Sequence, residues 1–261
     1  MGCGSSKTNK VIEPETKIEI DVSEEHDDNE NKNEQSPSPP NNELKKSSLA
    51  ISSKNYKLNY FDFTGRAELL RLIFAVSNTP FTDQRIKFKD WKNEKKNAPL
   101  EQLPYLEVDD NPILVQSMAI ARYLAKEMNL AGRDTYDQVR VDLVLDLCKE
   151  FTDCFSIYIV PEMLNPTDEK EEIIQHFIDI LALRYLKNIE TLIENFGQNN
   201  YAVGDQLTVA DLFIHDLVTN MIKLNSAILE NYPKLKKHKS QVEENENLKF
   251  YLDTRDRKKL E

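Results

Sequence analysis

The sequence predicts a small α/β domain followed by an all-α domain, both carried behind a disordered N-terminal arm. Three observations lead there. Residues 24–40 contain none of Ala, Val, Ile, Leu, Met, Phe, Trp, Tyr or Cys, and they end on Ser36-Pro37-Ser38-Pro39-Pro40. From Tyr56 to about residue 131, short apolar runs of strand length alternate with runs of helical period. After Thr135 the apolar pattern is helical throughout.

The arm comprises residues 1–53. A stretch so polar cannot bury enough apolar area to offset its conformational entropy, so it is expected to remain disordered. Its first residues, MGCGSSK, form a separate signal: Gly2 with Ser6 fits the pattern for myristoylation, and Cys3 beside it suits palmitoylation. One myristoyl chain holds a membrane only marginally, so the second acyl chain is what makes an anchor persist. Charge does not supply that second signal. The chain carries a net charge of −11, which repels anionic lipid and argues against nucleic acid as a partner. No apolar run approaches the length of a transmembrane helix. The expected location is therefore the cytoplasmic face of a membrane, the plasma membrane first. Cys3, Cys148 and Cys154 form no C-x-x-C pair, which fits a reduced compartment. Cys148 and Cys154 fall in a helical run and read as small buried apolar residues.

The first folded domain spans residues 54–131. Lys57 to Phe61 reads as a strand, and Gly65 opens a helical run with Leu69, Leu70, Leu72, Ile73 and Val76 on a 3.6-residue period. Thr79-Pro80 ends it, and a second strand follows over 81–88. Residues 104–108 and 113–115 flank the turn Asp109-Asp110-Asn111-Pro112, a connection short enough to demand an antiparallel hairpin. A helix then runs from Gln116-Ser117 to Met128, with Ser117 as its expected N-cap. This βαβ plus ββα order is the thioredoxin-like layout. The all-α domain, residues 135–261, is expected to hold long helices over 139–155, 172–196 and 207–224. Thr208-Val209-Ala210-Asp211 reads as a capping pattern at the start of the last.

On these residues the chain resembles the cytosolic glutathione transferases over residues 56 to about 255, and most closely their sigma-like class, to which a prostaglandin D synthase belongs. The elements that carry the resemblance are Tyr60-Phe61 followed by Gly65-Arg66-Ala67-Glu68, and then Asp90-Trp91 with Lys95. Leu103-Pro104, Gln116-Ser117 leading into residues 119–124, and Val203-Gly204-Asp205 with Leu207-Thr208 and Ala210-Asp211 follow in order. The resemblance implies glutathione as co-substrate, an electrophilic partner substrate and a homodimer with the start of the second domain's first helix near its axis. It implies that Tyr60 donates a hydrogen bond to the glutathione sulfur and that Arg66 helps polarise that hydroxyl. Leu103 and Pro104 would form a cis-proline turn whose backbone pairs with the cysteinyl part of the tripeptide. Gln116 and Ser117 would hold the γ-glutamyl end at a helix N-terminus, and Trp91 and Lys95 the glycyl end.

Two departures shape the expected activity. Where the prostaglandin synthase of that class has an acidic cluster, this chain has Asp146, Lys149 and Glu150, so a metal there is not expected. Where that enzyme has a pocket tryptophan, this chain has Ile157. Conjugation of the glutathione thiolate to apolar electrophiles is thus the leading expectation, with Phe61, Phe63 and residues 155–158 as pocket walls. The alternatives are a membrane-tethered glutathione-binding scaffold without conjugation activity, and a glutathione-dependent lipid peroxidase or isomerase.

Overall fold

The computed structural model describes residues 54–255. The arm, with Gly2 and Cys3 where acylation is expected, lies outside the described residues. Strand β1 (Tyr56–Phe61) leads through a 3-10 turn (Gly65–Ala67) into helix α1 (Glu68–Val76), and the chain returns as β2 (Thr82–Ile86). A short helix α2 (Trp91–Glu94), β3 (Tyr105–Val108), β4 (Leu114–Val115) and α3 (Ser117–Glu127) complete the first domain.

The sheet order is β2-β1-β3-β4. β1 runs parallel to β2, with Tyr60 opposite Arg85, and antiparallel to β3, with Leu58 opposite Leu106. β3 and β4 form the expected hairpin. This is the thioredoxin-like mixed sheet. The helical period of α1 misleads in one respect, because Glu68 and Arg71 are as buried as the leucines around them. α1 is enclosed on several sides, packing against α3 and against two helices of the second domain, those of Val209–Leu224 and Glu246–Arg255.

The second domain is helical: α4 (Thr135–Tyr158), α5 (Val160–Leu164), α6 (Lys170–His176), α7 (Leu183–Phe196), α8 (Val209–Leu224), α9 (Pro233–Glu243) and α10 (Glu246–Arg255). Asp134 caps α4, its carboxylate accepting the Tyr136 and Asp137 amides, both at 2.8 Å. The capping pattern at Thr208 is present. Asp211 Oδ2 accepts from the Thr208 amide and hydroxyl, each at 2.7 Å, and Oδ1 accepts from the Ala202 amide at 2.6 Å and His238 Nε2 at 2.9 Å. Asp211 is fully buried, and these four donors are what make that burial tolerable.

Three sequence expectations need correction. The helix expected over 172–196 is α6 and α7 joined by a π-helical turn, Phe177–Ala182, which keeps Phe177, Ile178 and Ala182 on the buried side. Gln116 rather than Ser117 stands at the N-cap of α3; its backbone has φ 70°, and no side chain caps the helix. The helix expected over 139–155 extends at both ends, because Asp134 supplies a cap that the apolar pattern does not reveal.

The C-terminal helix closes the first domain. Tyr251 Oη donates to Glu68 Oε1 at 3.1 Å, and Arg255 pairs with the same oxygen. Glu68 is also 3.6 Å from Arg71 Nη1.

Candidate active site

The site begins where β1 runs out of sheet. Tyr60 is buried in the sheet, 5% exposed, while the loop after it turns sharply into Gly65 at φ 45°. That turn brings the Arg66 amide to the Tyr60 hydroxyl, which accepts its hydrogen at 3.0 Å. Gly65 is required twice over. Its φ lies in the left-handed region, and a Cβ there would stand 2.5 Å from Tyr60 Oη and 2.8 Å from Phe63 Cε2.

Arg71 holds the loop from below. Its fully buried guanidinium pairs with Asp83 at 3.1 Å and donates to the carbonyls of Phe63 at 2.9 Å and Thr64 at 3.3 Å. Burial raises the Tyr60 hydroxyl above its ordinary value of 10, while the Arg66 amide and the positive charges of Arg66 and Arg71 oppose that rise. The hydroxyl is therefore protonated at neutral pH. One of its lone pairs is taken by the Arg66 amide, and its own hydrogen is left to donate.

The Arg66 side chain is not arranged as expected. Its guanidinium reaches away from the tyrosine to Asp153 of α4, Nη2 to Oδ1 at 3.3 Å, and the residue touches the hydroxyl through its backbone. Trp91 packs edge-on against Phe61, ring centroids 5.4 Å apart, and Phe61 stacks on Phe63. Lys95 is exposed, its ammonium 3.7 Å from Glu101. Leu103-Pro104 is a cis peptide. Gln116 Nε2 donates to Gln102 Oε1 at 3.4 Å, which ties the start of α3 to that proline turn. Ser117 opens α3, where unpaired amides and the helix dipole favour an anion. The structure thus gathers Tyr60, Arg66, Gln116, Ser117, Leu103 and Pro104 around the ends of β1 and β3 and the start of α3. Trp91 joins them through Phe61, and Lys95 stands at the exposed margin.

Facing Tyr60 is a cleft of about 490 Å³ between the β1–α1 loop and helices α4, α5 and α8. Its walls are mostly apolar: Phe63, Phe151, Phe155, Met163, Leu217 and Met221. Of the walls expected, Phe63, Phe155 and Ser156 line the cleft, whereas Phe61, Ile157 and Tyr158 do not, and Phe151 and α8 supply walls that were not expected. Asp216 of α8 is the carboxylic acid of the lining. A larger hollow of about 640 Å³, lined by Tyr158, Glu169, Glu172, His176 and Phe177, shares no residue with the cleft.

Two of the three positions considered for metal, Asp146 and Lys149, are engaged in ion pairs. Asp146 pairs with Arg122, and Lys149 pairs with Asp153. Among the described residues no group of three or more His, Cys, Asp or Glu is placed to hold a metal. Cys148 is buried, which pushes its thiol well above the ordinary range, and Cys154 is half-buried. Arg71 and Asp216 escaped the sequence reading. The signal for each is a charged residue set within a run of buried apolar ones, Leu69 to Phe74 and Leu212 to Val218.

Comparison with known proteins agrees with this architecture. A family model of the glutathione S-transferase N-terminal domain matches residues 56–126, and one of the C-terminal domain matches residues 152–255. The chain is 33% identical over 203 residues to S-crystallin SL11 of Nototodarus sloanii, a match covering 77% of this chain and 97% of that protein. It is 34% identical over 181 residues to the hematopoietic prostaglandin D synthase of Homo sapiens, covering 69% and 86%. Among solved structures, that of monomeric Na-GST-3, a glutathione S-transferase from the hookworm Necator americanus, superposes with a TM-score of 0.72 at 30% identity, covering 77% of this chain and 97% of that one.

Proposed function

Because the chain belongs to the glutathione S-transferase family, we propose that it conjugates the glutathione thiolate to apolar electrophiles. The observation that carries this reading is the Tyr60 hydroxyl. It is buried, protonated and oriented by the Arg66 amide at 3.0 Å, and it lines a cleft whose other walls are apolar. A free thiol ionises near pH 8.5, and lowering that by about two units, at about 1.36 kcal/mol each, makes it mostly anionic at pH 7. A hydrogen bond donated to the charged form is the means by which Tyr60 would do this. Trp91, Lys95, Leu103, Pro104, Gln116 and Ser117 would hold the tripeptide, and Arg66 would act through its backbone amide. The α4, α5 and α8 walls would receive the electrophile, so that positioning and nucleophile activation supply the catalysis.

The test is turnover of an aryl halide, 1-chloro-2,4-dinitrobenzene, by the purified full chain with glutathione. Wild type should be active, and Tyr60→Phe should lower the rate by roughly ten- to thousandfold, with little change in glutathione affinity. Equal activity of the two proteins would remove Tyr60 from the mechanism. An inactive wild type that still binds glutathione would instead favour the scaffold reading.

Two further parts belong to the same reading. Myristate on Gly2 with an acyl chain on Cys3 would tether the enzyme to the cytoplasmic face of a membrane. The folded part would act as a homodimer joined along the start of α4. In support, Tyr136, Val139 and Leu143 recur on one face of that helix and are 67%, 57% and 44% exposed among the described residues, an apolar row crossed by the Arg140 guanidinium over the Tyr136 ring.

A further inference from the structure

Helix α8 carries two acids in the same buried run, and the structure treats them oppositely. Asp211 is saturated by four donors and is a structural group. Asp216, a turn and a half further on, makes no ion pair among the described residues. Its hydrogen bond comes from Asn220 Nδ2 at 3.5 Å, a long contact. It is half-buried and opens on two spaces at once. One is the apolar cleft shared with Tyr60, and the other is a small hollow bounded by Gly65, Arg66, Ser117 and Lys149. The carboxyl thus stands where the side that would hold glutathione meets the side that would hold the electrophile.

We propose that Asp216 is a proton-transfer residue for electrophiles whose attack leaves a charge on oxygen, α,β-unsaturated carbonyls above all. This rests on the transferase reading given above. When glutathione binds, the S–H bond breaks, the carboxylate takes the proton, and the thiolate is left in the Tyr60 hydrogen bond. The sulfur lone pair then forms the S–C bond at the β-carbon, and the C=C electrons move toward the carbonyl oxygen. The resulting enolate takes the proton back from Asp216, which regenerates the carboxylate. The sum is thiol plus enone giving thioether, the proton passing from sulfur through Asp216 to the product unless the pH is high enough for Asp216 to lose it to water first. An aryl halide makes no such demand, since halide leaves unprotonated and the thiol proton goes to solvent.

The electrostatic surroundings fit this task. Burial, and next the negative charge of Glu68 on α1, raise the Asp216 carboxyl from 3.8 to about 7, while Arg255 of α10 and Lys223 of α8 oppose them. Arg71 of α1 is committed to Glu68, Asp83 and the loop carbonyls, and Arg66 and Lys149 are both committed to Asp153 of α4. α3 offers only Ser117 and Met118 to the small hollow, and α5 offers Val160, Met163 and Leu164 to the cleft. The Glu243 and Lys239 pair of α9 meets His215, the neighbouring residue on α8. A group that titrates near the working pH can both accept and return a proton.

The experiment compares trans-4-phenyl-3-buten-2-one with 1-chloro-2,4-dinitrobenzene, using wild type and Asp216→Asn full chains. The enone-to-halide ratio of kcat/KM should fall by roughly tenfold or more in the variant. In wild type that ratio should decline as pH rises through about 7, and in the variant it should stay flat. A ratio equal in the two proteins overturns the proposal, as does a wild type that turns over the halide but not the enone. Turnover of neither substrate by wild type overturns the transferase reading, and this assignment with it. Thermal unfolding gives a readout independent of turnover. A carboxyl raised by folding costs stability progressively as pH climbs from about 3.8 to about 7, so Asp216→Asn should raise Tm more at pH 8 than at pH 5. A Tm difference that does not change with pH would show that Asp216 is not the titrating group.

Discussion

Adding a methyl group at Gly65 would set it 2.5 Å from the Tyr60 hydroxyl oxygen and 2.8 Å from the Phe63 ring. The hydroxyl would have to leave the Arg66 amide, and alanine at φ 45° would add strain of about 1–2 kcal/mol. Gly65→Ala should therefore lose roughly tenfold or more in conjugation rate while its Tm falls only modestly, since small misplacements of a catalytic group are costly. Kinetics beside a melting curve check this, and a fully active Gly65→Ala would mean that the 3.0 Å contact does not orient the hydroxyl. At this scale the sequence was partly legible. Tyr60 is legible through the motifs around it, Phe61 and then Gly65-Arg66-Ala67-Glu68, and Gln116-Ser117 as a polar pair opening a helix. The contact of Arg66 was not legible, because it is made by a backbone amide, which every residue but proline possesses. Asp216 was not legible either, because the setting of its carboxyl depends on burial first and then on Glu68, about 150 positions earlier in the chain.

The elements were more readable than their joints. Strand lengths, the hairpin and the capped start of α8 follow from alternation, turn chemistry and the Thr208–Asp211 spacing, all of them local. The π-helical turn at Phe177–Ala182 escaped because it keeps the same side of the chain against the core, so the apolar period runs on through it. α9 carries two apolar residues after its proline, Leu235 and Val242, and in α10 Leu248 is buried while Phe250 is exposed, a pattern too sparse or too mixed to bound a helix. On α4 the period carries more information than one chain uses. Its buried side, with Val141, Val144, Leu145 and Cys148, fills the core, while Tyr136, Val139 and Leu143 face outward. If that outer row is a subunit contact, light scattering at micromolar concentration should give the mass of a dimer. Leu143→Glu should then shift the protein to monomer by placing two like charges across a two-fold contact. A wild-type monomer would refute the dimer, and the monomeric hookworm relative shows that the fold occurs in that state.

The division into a sheet domain and a helical domain shows in the changing period, whereas the arm carries its information in a few residues at its start. If those residues are acylated, cell fractionation should place wild type in the membrane pellet, Gly2→Ala in the soluble fraction, and Cys3→Ser mostly soluble or spread over internal membranes. Gly2→Ala remaining in the pellet would mean that something other than lipid holds it there. The contact of α10 with Glu68 bears on how such a molecule comes into being. Glu68 is 1% exposed, and two of its partners, Tyr251 and Arg255, lie 183 and 187 residues further along. At ordinary rates of translation, the ribosome needs roughly 6 to 25 s to get from the end of the first domain to Arg255. Through that interval the sheet can pair and Arg71 can reach the carboxylate, but the outer side of α1 still faces water where α8 and α10 will lie. A nascent chain arrested before α10 should accordingly be more open to protease around α1 than one released whole. The first domain is made first and finished last.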